Sequence, residues 1–265
     1  MKTSILSHLP ENHPWRDHMH WFDTIGSTND YAKTLALQGA PHGTTVVAGS
    51  QTKGRGRMGR SFYSPESTGI YLSVILRYGC KPQSLMHLTC ATAVAMCNAL
   101  EHACGLRPRI KWTNDLVWGS KKLGGILTEL GFENDGSVRY AIVGIGINCT
   151  APANGFPVEI RNIATSLDEA AGKQADNAAI AAAMIASLHR TAEGLLTEKE
   201  SIMEAYRADC MTLGRQIVMQ KENATLHGTA TAVDDDGALI VTLTDGSQLT
   251  VNTGEVSVRG LYGYV

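Results

Sequence analysis

What the sequence does not contain narrows the field first. No run of about 18 apolar residues occurs, which argues against a membrane-spanning helix. The opening stretch, MKTSILSHLPENHPW, has one lysine but no sustained apolar core and no A-x-A cleavage pattern, so no secretory signal is expected. A net charge of −2 provides no overall basic field for nucleic acid or an anionic membrane. None of the six cysteines forms a C-x-x-C pair, and no histidine stands at zinc-finger spacing from them. Internal repeats and low-complexity tracts are lacking too. What remains is a soluble, cytoplasmic chain of 265 residues, long enough for one large domain or for one plus a small one.

Patterning then places the elements. STNDYAKTLALQGA (27–40) opens on cap-type residues and stops at Gly39, which marks a short helix. TTVVAG (44–49) and GIYLSVILR (69–77) read as strands, and 84–105 as a long apolar helix. Cys90, Cys97 and Cys104 are seven residues apart and fall on one face of that helix, where they suit small core hydrophobes. RIKWTNDLVWG (109–119) alternates like a strand running into a turn. LGGILTEL (123–130) and VRYAIVGIGINCT (138–150) flank the turn ENDGS and are expected to pair as a hairpin. A loop at 151–165, a brief helix at SLDEAAG and an Ala-rich helical region at 176–208, broken near Gly194, complete this part. From Gly214 onward, short β-rich runs alternate with KEN, DDDG and TDGS turns, as in a small barrel. The reading is an α+β chain: a mixed sheet packed with helices over 21–210 and a small β-barrel over 211–265. Residues 1–20, polar and crowded with four histidines, are expected to be poorly ordered.

GRGRMG (54–59) fits the G-x-G-x-x-G dinucleotide fingerprint, but its context does not. A Rossmann turn runs straight into a helix and is followed about 20 residues later by an acid. Here RSFYSPESTG follows, and positions 70–80 hold no Asp or Glu. The stretch instead gathers Lys53, Arg55, Arg57 and Arg60 around flexible glycines whose N–H groups can face a ligand. Such a loop is expected to stay mobile until a small anion arrives. An Arg/Gly nucleic-acid segment and an idle solvated loop are the alternatives.

KWTND (111–115) and KKLGGIL (121–127) form a second constellation. On a strand, Lys111, Thr113 and Asp115 would point one way and Trp112 and Asn114 the other. Asn and Asp are depleted in strand interiors, so a site is suspected there. Gly124 and Gly125 follow Lys122, and Gly144 and Gly146 alternate with Ile145 and Ile147 in the partner strand. The glycines clear a floor for a flat ligand beside clustered cations.

These residues together resemble a known family. STND, QTKGRGRMGRSFYSP, KWTNDL, KKLGGILTE and VGIGINC occur in the order found in biotin–protein ligases, and the likeness runs from about residue 20 to 260. The resemblance implies a ligase catalytic domain with an SH3-like C-terminal barrel. It implies that biotin and Mg-ATP form biotinyl-5′-AMP, from which biotin passes to a lysine of a biotin carboxyl carrier domain. It places Ser27, Thr28, Asn29, Gln51, Gly125 and Gly144 at biotin. Arg55, Gly56 and Arg57 close over the biotin carboxylate and the adenylate, and Lys122 touches the carboxylate and α-phosphate. Arg60, Lys111, Trp112, Asn114, Asn148 and Arg215 fall on the nucleotide side. Lys122, Arg57 and Asp115 are the catalytic candidates; Asp115 orients either Mg2+-bound phosphates, through water or phosphate, or the incoming lysine.

Phe62 stands where the family commonly has Trp. Some members carry an N-terminal DNA-binding domain; with only about 20 residues ahead of the STND region, no DNA binding is expected here. Monomer and homodimer stay open. Lipoate ligase or octanoyltransferase, and a non-catalytic biotin-binding regulatory module, are the competing readings.

Overall fold

The computed structural model describes residues 2–172, 174–221, 224–252 and 257–260. Two sheets organise it. In chain order the first part contains α1 (Lys2–His8), β1 (Met19–Ile25), α2 (Thr28–Leu37), β2 (Thr45–Gln51), β3 (Gly69–Leu76), α3 (Leu88–Cys104), β4 (Arg109–Lys111), β5 (Asp115–Trp118), β6 (Lys121–Phe132) and β7 (Val138–Asn148). Helices α4 (Leu167–Ala171), α5 (Asn177–Gly194) and α6 (Lys199–Asp209) follow. The seven strands lie in the order β1-β2-β3-β7-β6-β5-β4, with β1 and β2 parallel and every other pair antiparallel. The mixed sheet and the β6–β7 hairpin are both as expected.

Side-chain alternation sorts the two faces of this sheet. Ile145 and Ile147 turn into the core that α3 and α5 cover. Ile142 turns to the other face, where α2 packs Ala32 and Ala36 against Val46, Ile75 and Tyr140. Helix α3 is apolar nearly all round, as befits a buried helix, and ends at Gly105 in the left-handed region (φ 75). Cys90 and Cys97 are buried within it, and burial pushes both thiols well up, so they act as core hydrophobes.

The second sheet is small and antiparallel, in the order β11-β10-β9-β8-β12, built from β8 (Gln216–Lys221), β9 (Ala224–Val233), β10 (Leu239–Leu243), β11 (Gln248–Val251) and β12 (Ser257–Gly260). It is the separate SH3-like unit the sequence suggests; 253–256 and 261–265 lie outside the described residues. Its β9–β10 turn grips the first unit. Lys199 Nζ meets Asp236 Oδ1 at 2.5 Å, Arg207 pairs with Asp235, and the Trp112 indole donates to Gly237 O at 2.9 Å.

Two expectations change. The stretch 109–119 is not one strand: β4 and β5 form a tight antiparallel pair that sets Lys111 opposite Asp115, and 112–114 are its turn. Asn and Asp, poor in strand interiors, sit in and just after that turn. The chain start is also built in rather than loose. Ile5, Leu9 and Trp15 are buried, and Arg16 Nη1 donates to Leu6 O and Leu9 O. Trp15 meets the rings of His13, His42 and His189. It lies so close over Gly43 (φ 82) that a Cβ there would be 2.0 Å from the indole. The polar letters masked three apolar anchors spaced four to six residues apart.

Two measurements check this docking. Trp15→Ala is expected to cost roughly 3–5 kcal/mol in urea denaturation, whereas a loose start would change stability by less than about 0.5. His13 and His42 are held below the ordinary 6.5, chiefly by burial and also by His189; at His42 the hydrogen bond to the Arg77 backbone and the Glu193 charge oppose this, while the Arg77 charge adds to it. The unfolded chain therefore takes up protons first as pH drops. Stability is retained above 6.5 and lost as pH falls from 6.5 toward the lowered values, so Tm is expected to be lower at pH 5.5 than at pH 7.5.

A glycine-floored cleft between helix α2 and a basic loop

The site face of the sheet has a gap where three side chains are missing. Gly125 of β6 lies opposite Gly146 of β7, and Leu127 lies opposite Gly144. The clearance is used: a Cβ on Gly144 would be 1.9 Å from Asn29 Oδ1, and one on Gly146 would be 2.5 Å from the Phe62 ring. Asn29 and Phe62 therefore occupy the room the glycines provide.

Above this floor stands the N-terminus of α2. Ser27 caps it, its Oγ accepting from Asp30 N at 3.4 Å. Gln51, at the end of β2, accepts Thr28 N at 2.9 Å and donates Nε2 to Ser64 Oγ at 3.0 Å. Ser73 Oγ stands 2.6 Å from Asn29 Oδ1 and 2.8 Å from Thr28 Oγ1. The wall presents a fixed set of donors and acceptors that suits a polar ring.

The basic loop closes the cleft from above. It folds back on itself through Gly56 N→Arg60 O and Phe62 N→Gly54 O, with Met58 at φ 56. The anions that hold it belong to the chain itself: Arg55 pairs with Asp30 and Glu129. Arg57 Nη1 donates to Asn114 Oδ1 at 2.7 Å, and burial pulls its guanidinium pKa down while Asp115 opposes this. Asn114 in turn is fixed to Ile126 by a pair of 2.9 Å bonds, Nδ2→O and O←N. Lys122 Nζ donates to Asp115 Oδ1 at 2.6 Å and lies 5.8 Å from the Phe62 ring centre.

Ser27, Thr28, Asn29, Gln51, Arg55, Gly56, Arg57, Asn114, Lys122, Gly125 and Gly144 thus line one cleft, with Phe62 and Gly146. Other candidates stand apart from its lining. Asp115 sits behind Lys122 as its counter-ion. Asn148 is further along the same strand, its Nδ2 on Thr165 O, and the 163–165 segment pairs with the Lys122 backbone. Arg60 and Arg215 are exposed, and Lys111 is buried. Trp112, expected at the nucleotide, turns the other way into the core, where the turn geometry carries its ring under Gly237. The sequence reading missed Ser73, Ser64, Asp30 and Glu129. A lone serine inside the apolar run GIYLSVILR was the available signal for the first. Glu129, an acid between Thr128 and Leu130 in a β-rich run, was the signal for the last.

Among the described residues no group of three or more His, Cys, Asp and Glu is placed to hold a metal. No helix among the described residues is long and apolar enough to cross a membrane.

The Biotin/lipoate A/B protein ligase family profile matches residues 21–148, and that of the Biotin protein ligase C terminal domain matches 212–259. The chain is 37% identical over 230 residues to the Bifunctional ligase/repressor BirA of Bacillus subtilis, covering 86% of this chain and 70% of that protein. It is 31% identical over 227 residues to the Biotin–[acetyl-CoA-carboxylase] ligase of Paracoccus denitrificans, covering 84% of this chain and 93% of that one. The solved structure of a biotin protein ligase from Aquifex aeolicus in complex with biotin and ATP matches with a TM-score of 0.75 at 28% identity, over 91% of this chain and 98% of that one. The chain belongs to the biotin protein ligase family.

The Lys122–Asp115 contact can be weighed separately. Both side chains are mostly buried, 28% and 18% exposed, so removing either leaves the other's charge poorly solvated. A double-mutant cycle with Lys122→Ala and Asp115→Ala in urea melts is expected to give a coupling of about 1–2 kcal/mol; coupling near zero would show that the pair contributes no mutual stabilisation.

Proposed function

We propose that this chain activates biotin with ATP and attaches it to a lysine of a biotin carboxyl carrier domain. The observation that carries this reading is the convergence of Asn29, Gln51, Arg57 and Lys122 on one glycine-floored cleft in a chain of this family. The ureido ring of biotin needs donors and acceptors together, and the Ser27–Asn29 turn with Gln51 offers both. Asn29 and Phe62 fill the room over Gly144 and Gly146, so the flat ring system is expected to lie against those two side chains.

Adenylation brings two anions together, because the biotin carboxylate attacks the α-phosphate and pyrophosphate leaves. Charge builds up at that phosphorus, and cations fixed in advance stabilise it there more than in the ground state. Lys122 and Arg57 are those cations. Asp115 holds the Lys122 ammonium and Asn114 holds the Arg57 guanidinium, so neither needs to reorganise. The carrier lysine then attacks the acyl carbon and AMP leaves, so the enzyme needs no nucleophile of its own. The basic loop covers the mixed anhydride and keeps water from it.

Mg2+ is expected to enter with the triphosphate, since the described residues form no cage for it and Asp115 is turned to Lys122. We assign the catalytic unit to 21–210 and the C-terminal unit to 211–265.

Incubation with biotin, Mg-ATP and a purified carrier domain, read by intact mass, tests this. One biotin mass on the carrier is expected; a lipoyl domain gaining lipoate while the carrier stays unmodified would replace the reading with lipoate ligation. Lys122→Ala is expected to cut pyrophosphate release at least about 100-fold with the fold intact.

A further inference from the structure

Arg55 spans the mouth of the cleft and ends on two carboxylates. Its Nη1 donates to Asp30 Oδ1 at 2.6 Å and to Glu129 Oε2 at 3.1 Å, and its Nη2 donates to Glu129 Oε1 at 3.0 Å. Glu129 Oε2 also accepts Asn29 Nδ2 at 2.9 Å. One carboxylate therefore holds both the loop that covers the site and the asparagine wedged over Gly144. Strand register places it for this: Glu129 follows Gly125 and Leu127 on the cleft face of β6. Three segments distant in sequence, the α2 N-terminus, the basic loop and β6, meet at that one side chain.

The charges say what Arg55 does there. One guanidinium faces two carboxylates, so the cluster as a whole is not cationic and has little attraction for an incoming phosphate or carboxylate. Arg57, by contrast, is held by the neutral amide of Asn114. The fork of Arg55 is engaged as a fastener, in the side-by-side geometry that fits a carboxylate. Its strength is limited by solvent: Arg55 is 40% exposed, Asp30 56% and Glu129 23%. Pairs so exposed are worth little singly. The contact biases the loop toward closure and still lets it open for substrates and for the carrier.

We propose that Glu129, assisted by Asp30, is a positioning residue that clasps the basic loop shut through Arg55 and ties closure to Asn29. Resting on the ligase reading above, its role is to keep the adenylate in the cleft until the carrier lysine arrives. It touches no reacting atom; it sets how often activated biotin is lost to water.

The test is the ratio of pyrophosphate released to carrier biotinylated, measured with biotin, Mg-ATP and carrier on the full chain. The wild-type ratio is expected close to one-to-one. Glu129→Gln keeps an acceptor for Asn29 and loses the charged fork contact. It is expected to raise the ratio about fivefold while the biotin KM moves less than about twofold. Glu129→Ala removes the acceptor as well, and is expected to raise the biotin KM about tenfold. Asp30→Asn, on an exposed helix surface where folding is not at stake, is expected to raise the ratio about twofold. Wild-type ratios in both Glu129→Gln and Asp30→Asn overturn the clasp, as does an unchanged biotin KM in Glu129→Ala. Wild-type protein that releases no pyrophosphate overturns the ligase reading instead, and the clasp's role with it.

Discussion

The missing side chain at position 144 sets the geometry on which the rest of the site depends. Any Cβ there would overlap Asn29, and any Cβ at 146 would overlap Phe62. The two glycines share the cleft face of β7, while Ile145 and Ile147 on the other face anchor the strand in the α3–α5 core. A strand that is half hydrophobic anchor and half glycine leaves its cleft face to be covered by side chains from other elements, Asn29 and Phe62. The core beneath it makes that tolerable, because β7 is central, paired with β3 on one edge and β6 on the other. The same strand supplies the rigid backbone on which Asn29 and Phe62 rest.

Charge follows a similar logic. Arg55, Arg57 and Lys122 repel one another, and the structure gives each a partner of graded strength. Arg55 has two carboxylates, Lys122 has one, and Arg57 has a neutral amide. Burial lowers the guanidinium pKa of both arginines, but the two carboxylates outweigh it at Arg55, whereas at Arg57 burial prevails. Behind these residues, the turn at 112–114 is pinned from several directions. Trp112 N donates to Thr212 Oγ1, its indole donates to Gly237 O, and Tyr206 donates to Thr113 O. Asn114 and Asp115, which hold Arg57 and Lys122, thus emerge from a turn that the small C-terminal sheet and α6 help to fix.

Much of this was written in local sequence. The glycine alternation in VGIGIN, the cap at Ser27 and the hairpin across ENDGS depend on spacings of two to five residues, and the structure keeps them. The residues that line the cleft were legible as a set because motif order carried them. What local pattern did not carry was partnership. Nothing near Glu129 and Asp30 in sequence names Arg55 as their partner, which the fold brings to them across 74 and 25 residues. The resemblance puts Trp112 on the nucleotide side, whereas the fold buries its ring, which donates to Gly237 O. The histidine-rich start looked loose because its anchors, Ile5, Leu9 and Trp15, are few and irregularly spaced. Each is a long-range packing outcome that no short window contains.

The central claim is that the cleft over Gly144 and Gly146 makes and keeps an acyl adenylate with the Lys122 ammonium at its centre. The most direct measurement omits the carrier: protein mixed with biotin and α-labelled ATP, separated rapidly from free nucleotide and then denatured to release what it holds. The account predicts biotinyl-5′-AMP retained at close to one per chain, and none in Lys122→Ala. Label recovered only as ATP or free AMP from the wild-type protein, or adenylate retained undiminished by Lys122→Ala, would contradict it.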